Sequence, residues 1–468
     1  MLAAISSSPV GFLLVAAVLV GISRPIIRWV TEKEQSPWLA RILLISLALH
    51  LLAAPAQIYV VNHFYHHVAD FNRYDTQGSI LAPNFRSFNF TLAGANVRAI
   101  VNDGSVSIFT GIVMAIVGVN QIGTFLVFSF LAWLGTILFY RAFTLTFASA
   151  PAGHRRYAYL VFFLPSTIFW TADVSKEAIM TVCLGMVAFG CAKVLVRAPG
   201  GFRLITVGAV AGFLVRPNEL LVILGGFAVA LMVRPGADRR ERNSSIKRVG
   251  GLLFMTFLLA ASVYITLHYL RLGSSGSLSL GNTTANNQVY GSGTSYSSSP
   301  AKWPIDAYTV LFDPLPFNAH GSGQYAAALE NMVILGIAVA SYRQLRVLLR
   351  TAFARPYVMM CLVYSIGFIY AFAALGNLGL IYRERVMLLP FLMVLFAIPR
   401  TPRTPKGRPN LYEWEYRRKD RRAFRAMLVQ RQQMVDAVRH GRATGRVPDS
   451  VVRAAVPAGT GTDPAPDG

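Results

Sequence analysis

Apolar residues along this chain come in long uninterrupted blocks, not in the narrow repeating stripe of a helix that floats on a soluble core. The blocks run over about 9–29, 42–61, 122–140, 157–172, 178–195, 204–215, 219–233, 250–270, 326–342, 357–374 and 386–399. The hydrocarbon core of a bilayer is about 30 Å thick and takes roughly 20 apolar residues in helical form. Only a helix or a closed barrel satisfies its own backbone polar groups in lipid. The pattern therefore predicts an all-α polytopic membrane protein of about eleven transmembrane helices. A further apolar segment at 107–119 is too short to span. If it crossed, every later connection would change sides, so it is expected to be re-entrant or to lie at the outer interface.

The polar connections divide the chain further. Two are long, at 62–106 and 271–325. The second opens with a Ser/Gly/Asn/Thr-rich stretch, 273–299, whose composition cannot build a core and predicts a flexible lid or linker. A transmembrane domain over 1–399 is expected to be followed by a basic tail over 400–468. Within the tail, 412–438 has helical character, while 402–409 and the end from 457 are expected to be disordered. The first apolar block has no basic residue before it and no convincing small-residue cleavage site, so it is expected to be a helix and not a signal peptide.

Composition sharpens the class. Of 468 residues, 54% are hydrophobic and 14% charged, against about 25% charged in soluble domains. Soluble, fibrous, disordered and disulfide-scaffold classes are excluded. Cys183, Cys191 and Cys361 all sit in apolar blocks and read as packed small hydrophobes. The net charge of +23 would suggest nucleic acid in a soluble protein. Here, however, 35 of the 44 basic residues fall in alternate connections and the tail. The opposite connections hold nine basic and ten acidic residues. The positive-inside rule puts the basic side in the cytoplasm, with the N-terminus outside and the tail inside a plasma membrane. The tail then meets anionic lipid, and no nucleic-acid partner is expected.

Chemistry is sought where charge abuts the membrane on the neutral side. Four clusters qualify: His66-His67-Val68-Ala69-Asp70-Phe71-Asn72-Arg73-Tyr74-Asp75; Asp173-Val174-Ser175-Lys176-Glu177; Arg216-Pro217-Asn218-Glu219; and Tyr382-Arg383-Glu384-Arg385. A charge at the bilayer centre costs about 2.5–3.5 kcal/mol on insertion scales, so these residues belong at helix ends, interfaces or water-filled cavities. Their spacing puts Asp173, Lys176 and Glu177 on one helical face, and Arg216 beside Glu219. Arg383 and Arg385 are two apart and share a ligand only if the chain there is unwound. Each cluster has a plain alternative: an interfacial ion pair for Asp173, Lys176 and Glu177 and for Arg216 and Glu219, plain extracellular charges for Arg383 and Arg385, and a solvated loop for Asp70 and Asp75. His66 and His67 read as interfacial side chains, with metal ligation the lesser alternative.

Arginine forks suit phosphate and pyrophosphate, and a carboxylate at the mouth of a groove can take a proton from an acceptor hydroxyl. The chain has no Gly-x-Gly-x-x-Gly, no Walker lysine loop and no zinc spacing, which argues against a nucleotide-sugar enzyme or an ATP-driven pump. These features point to sugar transfer or glycan polymerisation at the outer face. The donor is a polyprenyl-phosphate-linked sugar and the acceptor a glycan or glycolipid. Asp70 is the expected base, with Tyr74 beside it and Asp173 or Glu177 orienting the acceptor. Arg383 and Arg385 are the expected phosphate ligands, with Arg216, Arg73 and Lys176 supporting. A divalent metal between Asp70 and the phosphate is compatible with this but not required, and no protein metal site is expected. The competing classes are a glycolipid transporter or flippase, using the same arginines without chemistry, and a non-catalytic component of an export complex. Transporters often repeat their hydropathy in matched halves; the long loops here follow the second and eighth crossings without such symmetry.

Asp70 and Tyr74 form an Asp-x-x-x-Tyr pattern in the first outer loop. Pro165-Ser166-Thr167-Ile168-Phe169-Trp170 is followed by Lys176-Glu177, and Asn377-Leu378-Gly379 by Arg383, Arg385 and Pro390. On these elements the chain, over about 40–400, resembles integral-membrane glycosyltransferases of the C-type fold and related bacterial polysaccharide-assembly proteins. Asp313-Pro314-Leu315-Pro316-Phe317 and Leu329-Glu330-Asn331 are similar to stretches of actinobacterial members. The resemblance implies that Asp70 is the base or the acceptor-orienting acid. The chain departs from the best-studied transferases in lacking a strict acidic pair, since Asp75 lies five residues on, and in having no large C-terminal outer domain.

Overall fold

The structure is a computed structural model that describes residues 11–34, 36–64, 70–95, 97, 100–148, 151–234, 303–319, 322–373 and 378–398. The eighth apolar block at 250–270, the 273–299 stretch, the His66-His67 pair, Asn377 and the basic tail lie outside the described residues. Among the described residues the chain is all-helical, without a strand. The helices are α1 (Gly11–Glu34), α2 (Pro37–Phe64), α3 (Asp70–Arg86), α4 (Asp103–Val117), α5 (Gln121–Thr146), α6 (Pro151–Phe162), α7 (Pro165–Trp170) and α8 (Lys176–Leu195). They continue with α9 (Gly201–Val215), α10 (Pro217–Val233), α11 (Trp303–Phe312), α12 (Ser322–Ala340), α13 (Tyr342–Thr351), α14 (Pro356–Ala373), α15 (Leu378–Glu384) and α16 (Leu389–Ala397).

Among the described residues, five helices are long and apolar enough to cross a membrane: Gly11–Glu34, Pro37–His63, Gln121–Thr146, Lys176–Leu195 and Gly323–Ala340. A sixth arises if Tyr342–Ala354 and Pro356–Phe372, bent by 111°, count as one span. The eleven crossings expected from the apolar blocks include the one at 250–270, which lies outside the described residues; among the described blocks, several are broken or shortened for local reasons. The block at 157–172 is two helices, because Pro165 has no N–H to continue α6 and instead opens α7 at its first position. The block at 386–399 begins as a 3₁₀ turn, Arg385–Met387, and its α-helix has nine residues. The helices α4, α9 and α10 are apolar but shorter than a span.

The stretch between α2 and α5 is also helical in part. It contains α3 and α4, which run side by side in the same direction. Arg73 and Tyr74 reach Asp103 at their N-terminal ends, and Arg86 donates to the carbonyls of Met114 and Ala115 at their C-terminal ends. A Cβ at Gly78 would lie 2.6 Å from the Thr110 side chain, so glycine sets how closely the two approach.

The centre of the bundle is α5 against α8. Phe125, Phe128, Trp133, Phe139, Tyr140 and Phe143 of α5 are all buried. Leu13, Leu14, Val18 and Ile22 of α1, by contrast, remain exposed, as lipid-facing side chains would be. The crossing is made by small residues, as close helix packing in lipid requires. A Cβ at Gly135 would sit 2.5 Å from the Thr181 carbonyl oxygen, and one at Gly185 would sit 2.7 Å from the Gly135 carbonyl oxygen. Backbone cannot yield as a side-chain tip can. Gly185→Leu is expected to destabilise the bundle by about 3 kcal/mol or more, read as a lowered Tm and lost monodispersity in detergent. An unchanged Tm would mean that the two helices separate without cost.

Candidate functional site

The four charged clusters are held at helix ends, where backbone groups are free and the chain can turn. Asp70 opens α3. Ser175 caps α8, its hydroxyl accepting from the Ala178 amide at 3.3 Å, and Lys176 and Glu177 form the first turn. Arg216 lies between α9 and α10, with Pro217 as the first residue of α10. Arg383 and Glu384 end α15.

These ends converge on Glu177, which has no solvent exposure. Its Oε1 accepts from Arg216 Nη2 at 2.7 Å and its Oε2 from Arg383 Nη2 at 2.9 Å. Each guanidinium also reaches outward. Arg383 Nη1 donates to Asp70 Oδ2 at 2.8 Å, and Arg216 Nη1 bonds both Glu219, at 3.0 Å, and Glu384. The result is one alternating chain: Asp70, Arg383, Glu177, Arg216, then Glu219 with Glu384. It runs from solvent to interior, since the Asp70 side chain is 65% exposed while those of Glu177 and Glu219 are 0% and 2% exposed.

Asp173 lies before the helix and not on the face of α8 expected from its spacing. It is buried, its Oδ2 accepts from Gln57 Nε2 at 3.4 Å, and its Oδ1 has no partner. Burial pushes its pKa up to about 6 against the opposing charge of Arg383. Lys176 likewise turns away from Glu177. It meets Asp103 Oδ1 and Asn102 Oδ1, each at 2.5 Å. Arg73 and Tyr74 join it there, with the Tyr74 hydroxyl donating to Asp103 at 2.9 Å. Burial would raise the Asp103 carboxyl, but Lys176, Arg73 and Tyr74 outweigh it and hold the group well below the usual carboxylate range. Burial, with Asp103, raises the Tyr74 phenol well above its usual value, so it acts as a hydrogen-bond donor. Burial lifts Asp75 to about 6.

Arg385 belongs to a third set of contacts. It is fully buried, donating from Nη1 to the Leu311 carbonyl at 2.7 Å and from Nη2 to Asn331 Oδ1 at 2.6 Å, with its guanidinium over the Tyr382 ring. Asn331 in turn donates to the Pro314 carbonyl at 2.9 Å. Its neighbour Glu330 accepts from the Ser166 amide and hydroxyl, at 2.8 and 2.5 Å, and from the Tyr382 hydroxyl at 3.1 Å. The structure thus brings Asp70, Glu177, Arg216 and Arg383 into direct contact. It groups Arg73, Tyr74 and Lys176 around Asp103 and keeps Arg385 apart from both.

Several residues of the site were not picked out as candidates from the sequence. Asp103 was one acid among ten on the neutral side. Gln57 is a lone amide in an apolar block, and Glu330-Asn331 is a polar pair inside another; polarity within an apolar block was the signal available for them. Glu384 was visible only as the residue between two arginines. Among the described residues, no group of three or more His, Cys, Asp or Glu side chains could hold a metal ion. Comparison with protein-family models, with curated proteins and with solved structures finds no match to this chain.

Proposed function

We propose that this chain is a plasma-membrane glycosyltransferase or glycan polymerase with a C-type-like arrangement of about eleven crossings. In this proposal its N-terminus is outside and its basic tail cytoplasmic. It uses a polyprenyl-phosphate-linked sugar at the extracytoplasmic face. The observation that carries the proposal is the ion pair between Asp70 and Arg383. It is the outermost link of the network, on the side with few basic residues, and Asp70 is largely exposed. The Asp70 side chain is 65% exposed and that of Arg383 only 19%, so the carboxylate can return to water when an incoming phosphate takes its place, while Arg383 keeps its bond to Glu177. Arg216 has no such freedom, being engaged by three buried carboxyl groups.

The exchange frees the Asp70 carboxylate beside the bound phosphate. Asp70 then accepts the proton of an acceptor hydroxyl, whose oxygen bonds to the anomeric carbon. The anomeric carbon–phosphate oxygen bond breaks, and polyprenyl phosphate leaves with its charge held by Arg383. Lys176 and Arg73 both pair with the one carboxylate of Asp103, which leaves positive charge at this mouth that suits an anionic headgroup.

The test is Asp70→Asn, which keeps the shape and removes the base. General-base catalysis contributes about 10²–10⁴-fold, and product formation should fall by that factor at equal protein level. Lipid-linked sugar intermediates should then accumulate. Full glycan production would remove Asp70 from the mechanism. Lost production together with lost movement of the glycolipid across the membrane would favour a carrier instead.

A further inference from the structure

We propose that Glu219 and Glu384 share one proton, making the inner end of the ion network a proton-binding site. Glu177, Glu219 and Glu384 are all buried, and among the described residues the guanidiniums of Arg216 and Arg383 are the cations paired with them. Arg383 is also spent on Asp70. Three ionised glutamates would therefore leave at least one negative charge uncompensated in an apolar interior. Such a charge costs far more than binding a proton, and the group neutralises instead.

Geometry says where the proton goes. Glu177 has a guanidinium on each oxygen and gains nothing from protonation. Glu219 and Glu384 compete for a single nitrogen, Arg216 Nη1. The other oxygen of Glu219, Oε2, is buried with no partner among the described residues. That oxygen is where a proton can sit without displacing the arginine. The remaining neighbours do not alter the balance. Tyr364 of α14 faces both carboxyl groups but bonds the Met387 carbonyl at 3.4 Å, and Arg385 is turned to Leu311 and Asn331. Burial raises Glu384 above the ordinary glutamate value even with Arg216 beside it.

The site does not depend on what binds at Asp70, so its test needs no substrate. Infrared spectra of the purified protein at pH 7 should show a protonated carboxylic-acid band that is lost or shifted in both Glu219→Gln and Glu384→Gln. Subtracting variant from parent removes any contribution from Asp173 or Asp75. Each single variant replaces an acid–carboxylate pair by an amide and a carboxylate that keeps Arg216, and should fold with little change in Tm. The pH trend has a definite sign. The folded pair keeps a proton that an unfolded glutamate releases near pH 4–5. Stability therefore falls as pH rises above that value, and either variant flattens this decline. A parent spectrum with no protonated band sensitive to either substitution overturns the proposal. So does failure of both single variants to fold, because that would mean both carboxylates are needed ionised.

Discussion

Arg216→Leu should yield a chain that inserts but cannot be recovered folded. Arg216 binds Glu177, Glu219 and Glu384 at once, and none of the three is more than slightly exposed. Leucine fills part of the volume and pairs with none of them. Arg383 can hold Glu177, and a shared proton can neutralise one further carboxyl, but one buried charge is left alone. Removing one partner of a buried ion pair costs about 3–5 kcal/mol. That is much of the 5–15 kcal/mol by which proteins are typically stable. Arg216→Lys should recover only part of the loss, because one ammonium cannot present two planar pairs of donors to carboxylates from three helices. Size-exclusion profiles and Tm in detergent measure both variants. A leucine variant that melts with the parent would mean that the network contributes nothing to folding.

Lysine at Arg383 and lysine at Arg385 should fail in different ways, although the two arginines are two residues apart. Arg385→Lys removes a guanidinium that bridges the Leu311 carbonyl and Asn331 with no solvent access. An ammonium can reach one of these partners. The group left unpaired costs about 1–3 kcal/mol, and the contact with the Tyr382 ring weakens too. The variant should melt lower. Arg383→Lys keeps a charge between Asp70 and Glu177 and should melt close to the parent. What it loses is the rigid fork that holds Glu177 with Nη2 while Nη1 turns from Asp70 to a phosphate. A bond to an ionised group is worth roughly 1.5–3 kcal/mol, so affinity for a short polyprenyl phosphate should fall by about ten- to a hundredfold. Equal effects of the two variants on both Tm and affinity would show that the arginines act as one unit.

These two arginines illustrate what was legible in the sequence. Their separation of two residues predicts that they point apart on a regular helix. The α-helix ends at Glu384 and a 3₁₀ turn follows, yet the side chains still diverge, because Asn331 and the Leu311 carbonyl lie on one side and Glu177 on the other. A spacing argument reads the local helix, and it has no access to partners 54 or 74 residues away. The same limit applies to Asp173, Lys176 and Glu177. Their spacing suits one face only if the helix begins before Asp173; it begins at Lys176, capped by Ser175, so each points somewhere different. Arg216 and Glu219 do meet as their three-residue separation predicts, because α10 begins directly after Arg216.

The sequence by itself determined the helical class, the apolar blocks and the charged clusters that abut them. These follow from local composition: an apolar run in lipid must satisfy its own backbone, and basic residues are counted wherever they stand. Only the tertiary structure decided that the connection before α5 is a pair of helices and that Pro165 splits a block. It alone decided that Glu177, not Asp70, is the hub to which two arginines bind. That choice depends on which helix ends meet. Helix ends meet through close crossings such as Gly135 with Gly185, whose partners are distant in the chain and carry no mark of each other in the residues themselves.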